Sequence, residues 1–191
     1  ADVDTASLFG RRVGLHGFGH VARALTRLLQ PFGAAISVLA PDVDAAAEAA
    51  YGVSRAPSLD ALFADNEIIV ELAPLIPGTR GLITERHLRL IRPGGVFVNV
   101  GRGPVVDEAA LLRVAREGRV FFGLDVFATE PLPPDSALRG LRNFTLTPHI
   151  VGPTTDRNCA DGAFALRNLR AYAEGRPLES VITPEIYNWS T

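Results

Sequence analysis

The chain contains no methionine and a single cysteine, Cys159. Without an initiator it reads as a processed chain or as an excised piece of a longer one. One thiol makes no internal disulfide, which suits a reducing, cytoplasmic setting. No apolar run approaches the roughly 18 residues of a membrane span. Residues 1–8 have neither a basic segment nor an apolar one, so no secretory signal is expected. Charge is also scarce as a net quantity: 19 basic against 21 acidic residues leave −2, with both signs interspersed. That balance excludes a basic nucleic-acid surface and a polybasic membrane patch. No His/Cys cluster has metal-ligand spacing, so no metal is expected. There is no internal repeat and no low-complexity linker. The stiff Pro131-Leu132-Pro133-Pro134 loop is too short to separate domains. Residues 1–191 are therefore expected to form one domain, with a lead-in at 1–8 and an extended, partly loose tail at 178–191.

What the chain does have is a 47% hydrophobic content arranged in short runs. Apolar runs of strand length fall at 12–15, 35–39, 67–72, 96–100, 120–126 and 144–146, with a short edge strand at 53–55. Helical patterns lie between them, at 19–29, 44–50, 59–64, 85–91 and 108–117, and a long one follows at 155–173. Ser58, Thr84 and Asp107 stand where helix caps belong, and Gly33, Gly52, Gly118 and Gly175 where helices end. Strands that are apolar throughout, rather than alternating, are buried on both faces. The expectation is an α/β fold: a doubly wound parallel sheet of about seven strands with helices on both faces.

The first strand leads into Gly14-Leu15-His16-Gly17-Phe18-Gly19-His20-Val21-Ala22, a G-x-G-x-x-A turn that opens a helix. Gly17 allows the tight turn, Gly19 lets backbone approach a pyrophosphate, and the small Ala22 lets helix and strand pack closely. Glycines also close many strand–helix turns for packing reasons alone. In a sheet of this Rossmann type, ligands sit at the carboxyl ends of the strands. There the chain places Arg102 after the strand at 96–100, Asp125 and Glu130 after the strand at 120–126, and His149 after the last strand. An arginine, an acid and a histidine thus converge beside a dinucleotide turn. Histidine can give or take the proton of a carbinol, a neighbouring carboxylate favours its charged form, and arginine can grip the carboxylate of a 2-oxo acid. Each residue alone has a bland reading as a surface charge, a turn cap or a loop histidine. Their order at the ends of successive strands weighs against that. His16, His87, Arg11, Arg12 and Arg142 have no such context and read as structural or surface residues.

At these residues the chain resembles the D-isomer-specific 2-hydroxyacid dehydrogenases, over about residues 8–184. The resemblance is carried by Asn99-Val100-Gly101-Arg102-Gly103 and its continuation to Asp107, by Gly123-Leu124-Asp125-Val126-Phe127, by Glu130-Pro131-Leu132-Pro133, and by Thr147-Pro148-His149-Ile150. It implies an NAD-dependent oxidoreductase that interconverts a 2-hydroxy and a 2-oxo acid. Arg102 would bind substrate, Glu130 would be the acid paired with histidine, and His149 would be the general acid/base. Asp125 would hold the nicotinamide carboxamide. The backbone of His20 and Val21 would face the pyrophosphate. Ala73, Pro74, Thr79, Val100, Gly101, Val151 and Gly152 would line the cofactor cleft, with Arg102 and His149 also beside the cofactor. The resemblance also implies a homodimer. The competing reading is a non-catalytic NAD(H)-binding sensor or regulatory module.

Two departures stand out. The family usually has an acid at the end of the second strand for the adenosine ribose, whereas Leu39-Ala40-Pro41-Asp42 puts alanine there. Either Asp42 takes that role or no acid contacts the ribose. Residues 34–54 hold no Lys or Arg, while Asp42, Asp44 and Glu48 add negative charge. That favours NAD over NADP. The second departure is that this sequence leaves no room for the family's separate substrate-binding domain, so the chain is expected to represent the cofactor domain.

Overall fold

A computed structural model describes residues 7–152 and 154–189. The start of the expected lead-in, 1–6, and the end of the tail, 190–191, lie outside the described residues. Seven parallel strands form one sheet in the order β3-β2-β1-β4-β5-β6-β7. They are β1 (Arg12–His16), β2 (Ala35–Leu39), β3 (Val53–Arg55), β4 (Ile68–Glu71), β5 (Val96–Asn99), β6 (Phe121–Leu124) and β7 (Phe144–Leu146). The helices are α1 (His20–Leu29), α2 (Ala45–Tyr51), α3 (Leu59–Asp65), α4 (Glu85–Leu90), α5 (Glu108–Arg116), α6 (Asn158–Ala173) and α7 (Pro184–Tyr187). This is the doubly wound α/β architecture that the apolar strands lead one to expect. The strand order reverses between β1 and β4, which makes their carboxyl ends the topological switch point where such sheets bind ligands.

Two cores flank the sheet. On one face Leu62 and Phe63 of α3, Leu88 of α4 and Leu111 and Val114 of α5 pack on Ile69, Phe97 and Phe122. On the other, Ala22 and Leu29 of α1 pack with Val13, Leu15, Ile36, Val38 and Val70. Ile69 and Val70 are consecutive, yet they feed opposite cores because successive strand side chains alternate. Phe63, Phe97 and Phe122 are essentially inaccessible; truncating such a ring to alanine costs about 3–5 kcal/mol.

Helix starts follow the capping residues. Asp44, Ser58 and Asp107 each accept a hydrogen bond from a backbone N–H three residues on, in Ala47, Ala61 and Ala110. Thr84 and His87 make a reciprocal capping pair at the start of α4. The expected extended tail is corrected in one place: residues 184–187 form the short helix α7. Thr183 caps it by accepting from the Ile186 N–H, and Pro184 occupies its first turn, where a missing N–H costs nothing. The long helix α6 buries only Ala171 and leaves Leu166, Leu169 and Tyr172 exposed. Among the described residues no helix is long and apolar enough to cross a membrane.

Candidate functional site

Helix α1 has Gly19 as its N-cap, and no side chain caps its first-turn amides. Those donors are left for water or for a ligand. Gly17 has φ +94, and a Cβ there would sit 2.8 Å from the Ala73 nitrogen and the Leu72 carbonyl carbon. Only glycine fits that position. A Cβ on Gly19 would instead meet no protein atom within 4 Å. Internal packing therefore does not account for glycine at 19, whereas a group approaching the backbone from outside would. Ala22 is 1% exposed and packs against the sheet, as the third small residue of the turn should. His20 and Val21 lie on the exposed side of the turn.

Across the switch point the β4–α4 connection supplies Ala73, Pro74 and Thr79. Thr79 folds this segment on itself: its hydroxyl donates to the Pro74 carbonyl at 2.5 Å and accepts from the Ile76 N–H at 2.9 Å. After β5, the buried Asn99 organises the next loop. Its side-chain oxygen accepts from the Gly101 N–H at 3.0 Å, and its amide donates to the Arg102 carbonyl at 3.1 Å. Arg102 Nη1 donates to the Gly101 carbonyl at 2.8 Å.

The acid and the histidine meet. Glu130 Oε2 lies 2.7 Å from His149 Nδ1, and Glu130 Oε1 accepts from the Phe127 N–H at 3.0 Å. Burial works to raise the Glu130 pKa. The His149 hydrogen bond, the Phe127 N–H and the charges of His149 and Arg102 outweigh it and hold the carboxyl below its ordinary range. His149 itself has φ +55, the left-handed region that β-carbon residues avoid. Such strain persists only where the surroundings enforce it, and it gathers at functional positions.

Asp125 does that enforcing. Its side chain is buried, with Oδ1 accepting from the Thr147 hydroxyl at 2.6 Å and the Ile150 N–H at 2.9 Å. Oδ2 accepts from the Val151 N–H at 3.2 Å. Burial again acts upward on its pKa, but these three hydrogen bonds and the His149 charge win and keep it low. A carboxylate held low in the fold adds stability above its unfolded range, which acid removes. Both Asp125 oxygens thus brace the loop that carries His149. A cavity of about 530 Å³ opens beside this pair, walled by Phe127, Leu132, Leu146, Pro148, Glu130 and His149.

Three participants escaped the sequence reading. Arg23 of α1 reaches the loop after β2, its Nη2 3.4 Å from Asp42 Oδ2, with its guanidinium over the Phe18 and Tyr51 rings. Residues 34–54 hold no basic residue, and this one comes from the neighbouring helix. His16 and Glu71 form a buried pair at 2.5 Å beneath the glycine turn. A glutamate inside the apolar run at 67–72 was the available signal.

Known proteins share this sequence pattern and fold. A family model described as D-isomer specific 2-hydroxyacid dehydrogenase, NAD binding domain, matches residues 1–151. Glyoxylate reductase of Thermococcus onnurineus is 33% identical over 182 residues, covering 95% of this chain and 54% of its own. Glyoxylate/hydroxypyruvate reductase B of Yersinia pseudotuberculosis is 35% identical over 179 residues, covering 92% of this chain and 54% of its own. The chain thus spans about half the length of these curated relatives. A D-isomer specific 2-hydroxyacid dehydrogenase from Xanthobacter autotrophicus, solved with NADPH and MES, superposes with a TM-score of 0.81 at 34% identity, covering 97% of this chain and 76% of its own. The chain belongs to the D-isomer-specific 2-hydroxyacid dehydrogenase family, matched through that family's NAD-binding domain.

Proposed function

We propose that residues 1–191 are the dinucleotide-binding domain of an NAD-dependent oxidoreductase that interconverts a 2-hydroxy acid and a 2-oxo acid. The observation that carries this reading is the Glu130–His149 pair, 2.7 Å apart, at the carboxyl edge of a sheet whose first turn is an uncapped G-x-G-x-x-A. The residues fit a nicotinamide dinucleotide: Gly17 and Gly19 with the His20 and Val21 amides for its pyrophosphate, and Ala73, Pro74, Thr79, Val100, Gly101, Val151 and Gly152 along the cleft. When bound, the nicotinamide supplies the hydride chemistry. Arg102 grips the substrate carboxylate. His149 holds a proton for the substrate's C2 oxygen through Nε2, while Glu130 fixes its orientation through Nδ1. Asp125 keeps the His149 loop in place and stands where the nicotinamide carboxamide is expected. This acid-histidine pair has a use in carbinol proton transfer and none in a pure sensor, so it favours the enzyme over the regulatory module.

The Asp42 carboxylate supports NAD as the form bound. It stands in the loop after β2, where it would repel a 2′-phosphate, and it pairs with Arg23. NADH is expected to bind this chain about tenfold tighter than NADPH, and Asp42→Asn is expected to narrow the gap by removing one negative charge and releasing Arg23. Dissociation constants from fluorescence titration check both; tighter NADPH binding by the unaltered chain contradicts the assignment, and binding of neither contradicts the function.

The exposed Leu166, Leu169 and Tyr172 of α6 support a homodimer. Sedimentation velocity at working concentration is expected to give a dimer mass; a monomer rejects it.

A further inference from the structure

His16 and Glu71 close the carboxyl ends of β1 and β4, directly opposite each other in register. They therefore floor the switch point itself. Glu71 is 0% exposed and His16 6%. Glu71 Oε2 lies 2.5 Å from His16 Nδ1, and Oε1 accepts from the Ala73 N–H at 2.7 Å. Three segments of the proposed cofactor cleft close around this pair. Gly17 follows His16 and packs on Leu72 and Ala73; Ala73 hangs from Glu71; and a Cβ on Gly101 would come within 3.2 Å of the Glu71 and Ala73 carbonyls.

Stability does not explain the pair. Two packed apolar residues at that register would hold the sheet at least as well, because desolvating two polar groups offsets most of their attraction. The position explains it better. Burial pushes the Glu71 pKa up, against the opposing pull of the His16 hydrogen bond and charge and the Ala73 N–H. With Glu71 protonated beside a neutral His16, the pair carries no net charge. Once Glu71 is ionised beside a neutral His16, one buried negative charge lies under the turn.

We propose that His16 and Glu71 are a positioning pair for the dinucleotide, tying the glycine turn to the Ala73 loop and keeping the floor of the pyrophosphate cradle free of net charge while Glu71 holds its proton. The inference rests on the dinucleotide reading above. Its consequence is directional: ionisation of Glu71 sets a negative charge beneath an anion, so affinity falls as pH rises. Other titratable or charged groups come from each neighbouring element. They are His20, Arg23 and Arg27 on α1, Asp42 after β2, Asp60 and Asp65 on α3, Glu85, Arg86, His87 and Arg89 on α4, and Arg102 after β5. His87 interacts electrostatically with His16, and its own burial, then Arg86 and His16, favour its neutral form. All of these persist in variants of the pair, so a difference between profiles isolates the pair.

The test compares NADH affinity of the unaltered chain and Glu71→Gln across pH. Glutamine keeps both hydrogen bonds, its oxygen accepting from the Ala73 N–H and its amide donating to His16 Nδ1, but it holds no titrating charge. From about pH 6 to about pH 9 the unaltered chain is expected to lose about fivefold more affinity than Glu71→Gln, the effect of a unit charge several ångströms from a pyrophosphate. Thermal melting without dinucleotide reports folding; if Glu71→Gln does not fold, the double variant His16→Leu/Glu71→Leu takes its place with the same flat profile expected. Parallel profiles overturn this inference and leave the dinucleotide reading intact. Absence of NADH binding by the unaltered chain at every pH overturns both.

Discussion

Replacing His149 by alanine, in the oxidoreductase proposed above, is expected to lower kcat for NADH oxidation with a 2-oxo acid by about 10²–10⁴-fold, the range that a positioned acid/base contributes. NADH affinity is expected to stay within about threefold, because the loss falls on the transition state rather than on cofactor binding. The reason lies in the loop. Asp125 ties Thr147, Ile150 and Val151, and this forces His149 into a left-handed backbone with Nδ1 against Glu130. That leaves Nε2 for substrate. Glu130→Gln keeps a hydrogen-bond acceptor but removes the negative charge, so the pH profile for 2-oxo acid reduction is expected to move to lower pH. The acid limb has a separate origin. Glu130 is held below the ordinary carboxylate range, so it stays ionised at neutral pH and loses its charge only in acid. Steady-state kinetics against pH, with dinucleotide affinity measured in parallel, checks these outcomes. Unchanged turnover in His149→Ala removes it from the acid/base role.

Gly103→Ala is expected to be the most damaging single methyl in the chain. Gly103 follows Arg102 and is buried against the segment after β6. An added Cβ would fall inside the van der Waals spheres of the Phe127 carbonyl carbon and oxygen, and 2.7 Å from the Ala128 nitrogen. All three are backbone, so no flexible side chain can swing aside. Either the Arg102 loop or the Phe127 segment must move, and the second also carries the N–H that orients Glu130. The expected cost is about 3 kcal/mol or more, near the upper end for overpacking. In a domain of this size that lowers Tm by about 10 °C. Gly140→Ala is the matched control: a Cβ there meets nothing within 4 Å, and its φ is not positive. It is expected to stay within about 0.5 kcal/mol. Thermal and urea unfolding of the two variants decide the matter. Equal stabilities contradict the packing described here.

The difference between these glycines was invisible in the sequence. Gly103 and Gly101 flank Arg102 and look alike as letters, and Gly17 and Gly19 both belong to one motif. In the structure Gly17 is wedged against Leu72 and Ala73, whereas Gly19 faces open space. The motif itself gives Gly17 the tight bend and Gly19 the close approach; what only the fold adds is the segment after β4 that crosses Gly17. Arg23 makes the same point. Residues 34–54 hold no cation, and the guanidinium near Asp42 arrives from α1.

The run at 67–72 shows where one-dimensional reading stops. Its apolar character led correctly to a central strand, since Ile69 and Val70 must enter opposite cores. The glutamate at its end was absorbed into that pattern. Only the pairing of β1 with β4 sets Glu71 opposite His16 and turns an odd residue in a strand into a buried acid-histidine pair.

Order along the chain was enough for the seven strands, the helices between them, the glycine turn and the candidacy of Arg102, Glu130 and His149. Apolar periodicity, capping residues and the position of polar residues after strands are local properties, and a linear chain records them in full. The Asp125 brace, the strained His149, the Arg23–Asp42 contact and the His16–Glu71 floor had to wait for the folded sheet. Each joins residues that lie 19 to 55 positions apart in the chain, and strand register and crossover, not sequence neighbours, bring them together.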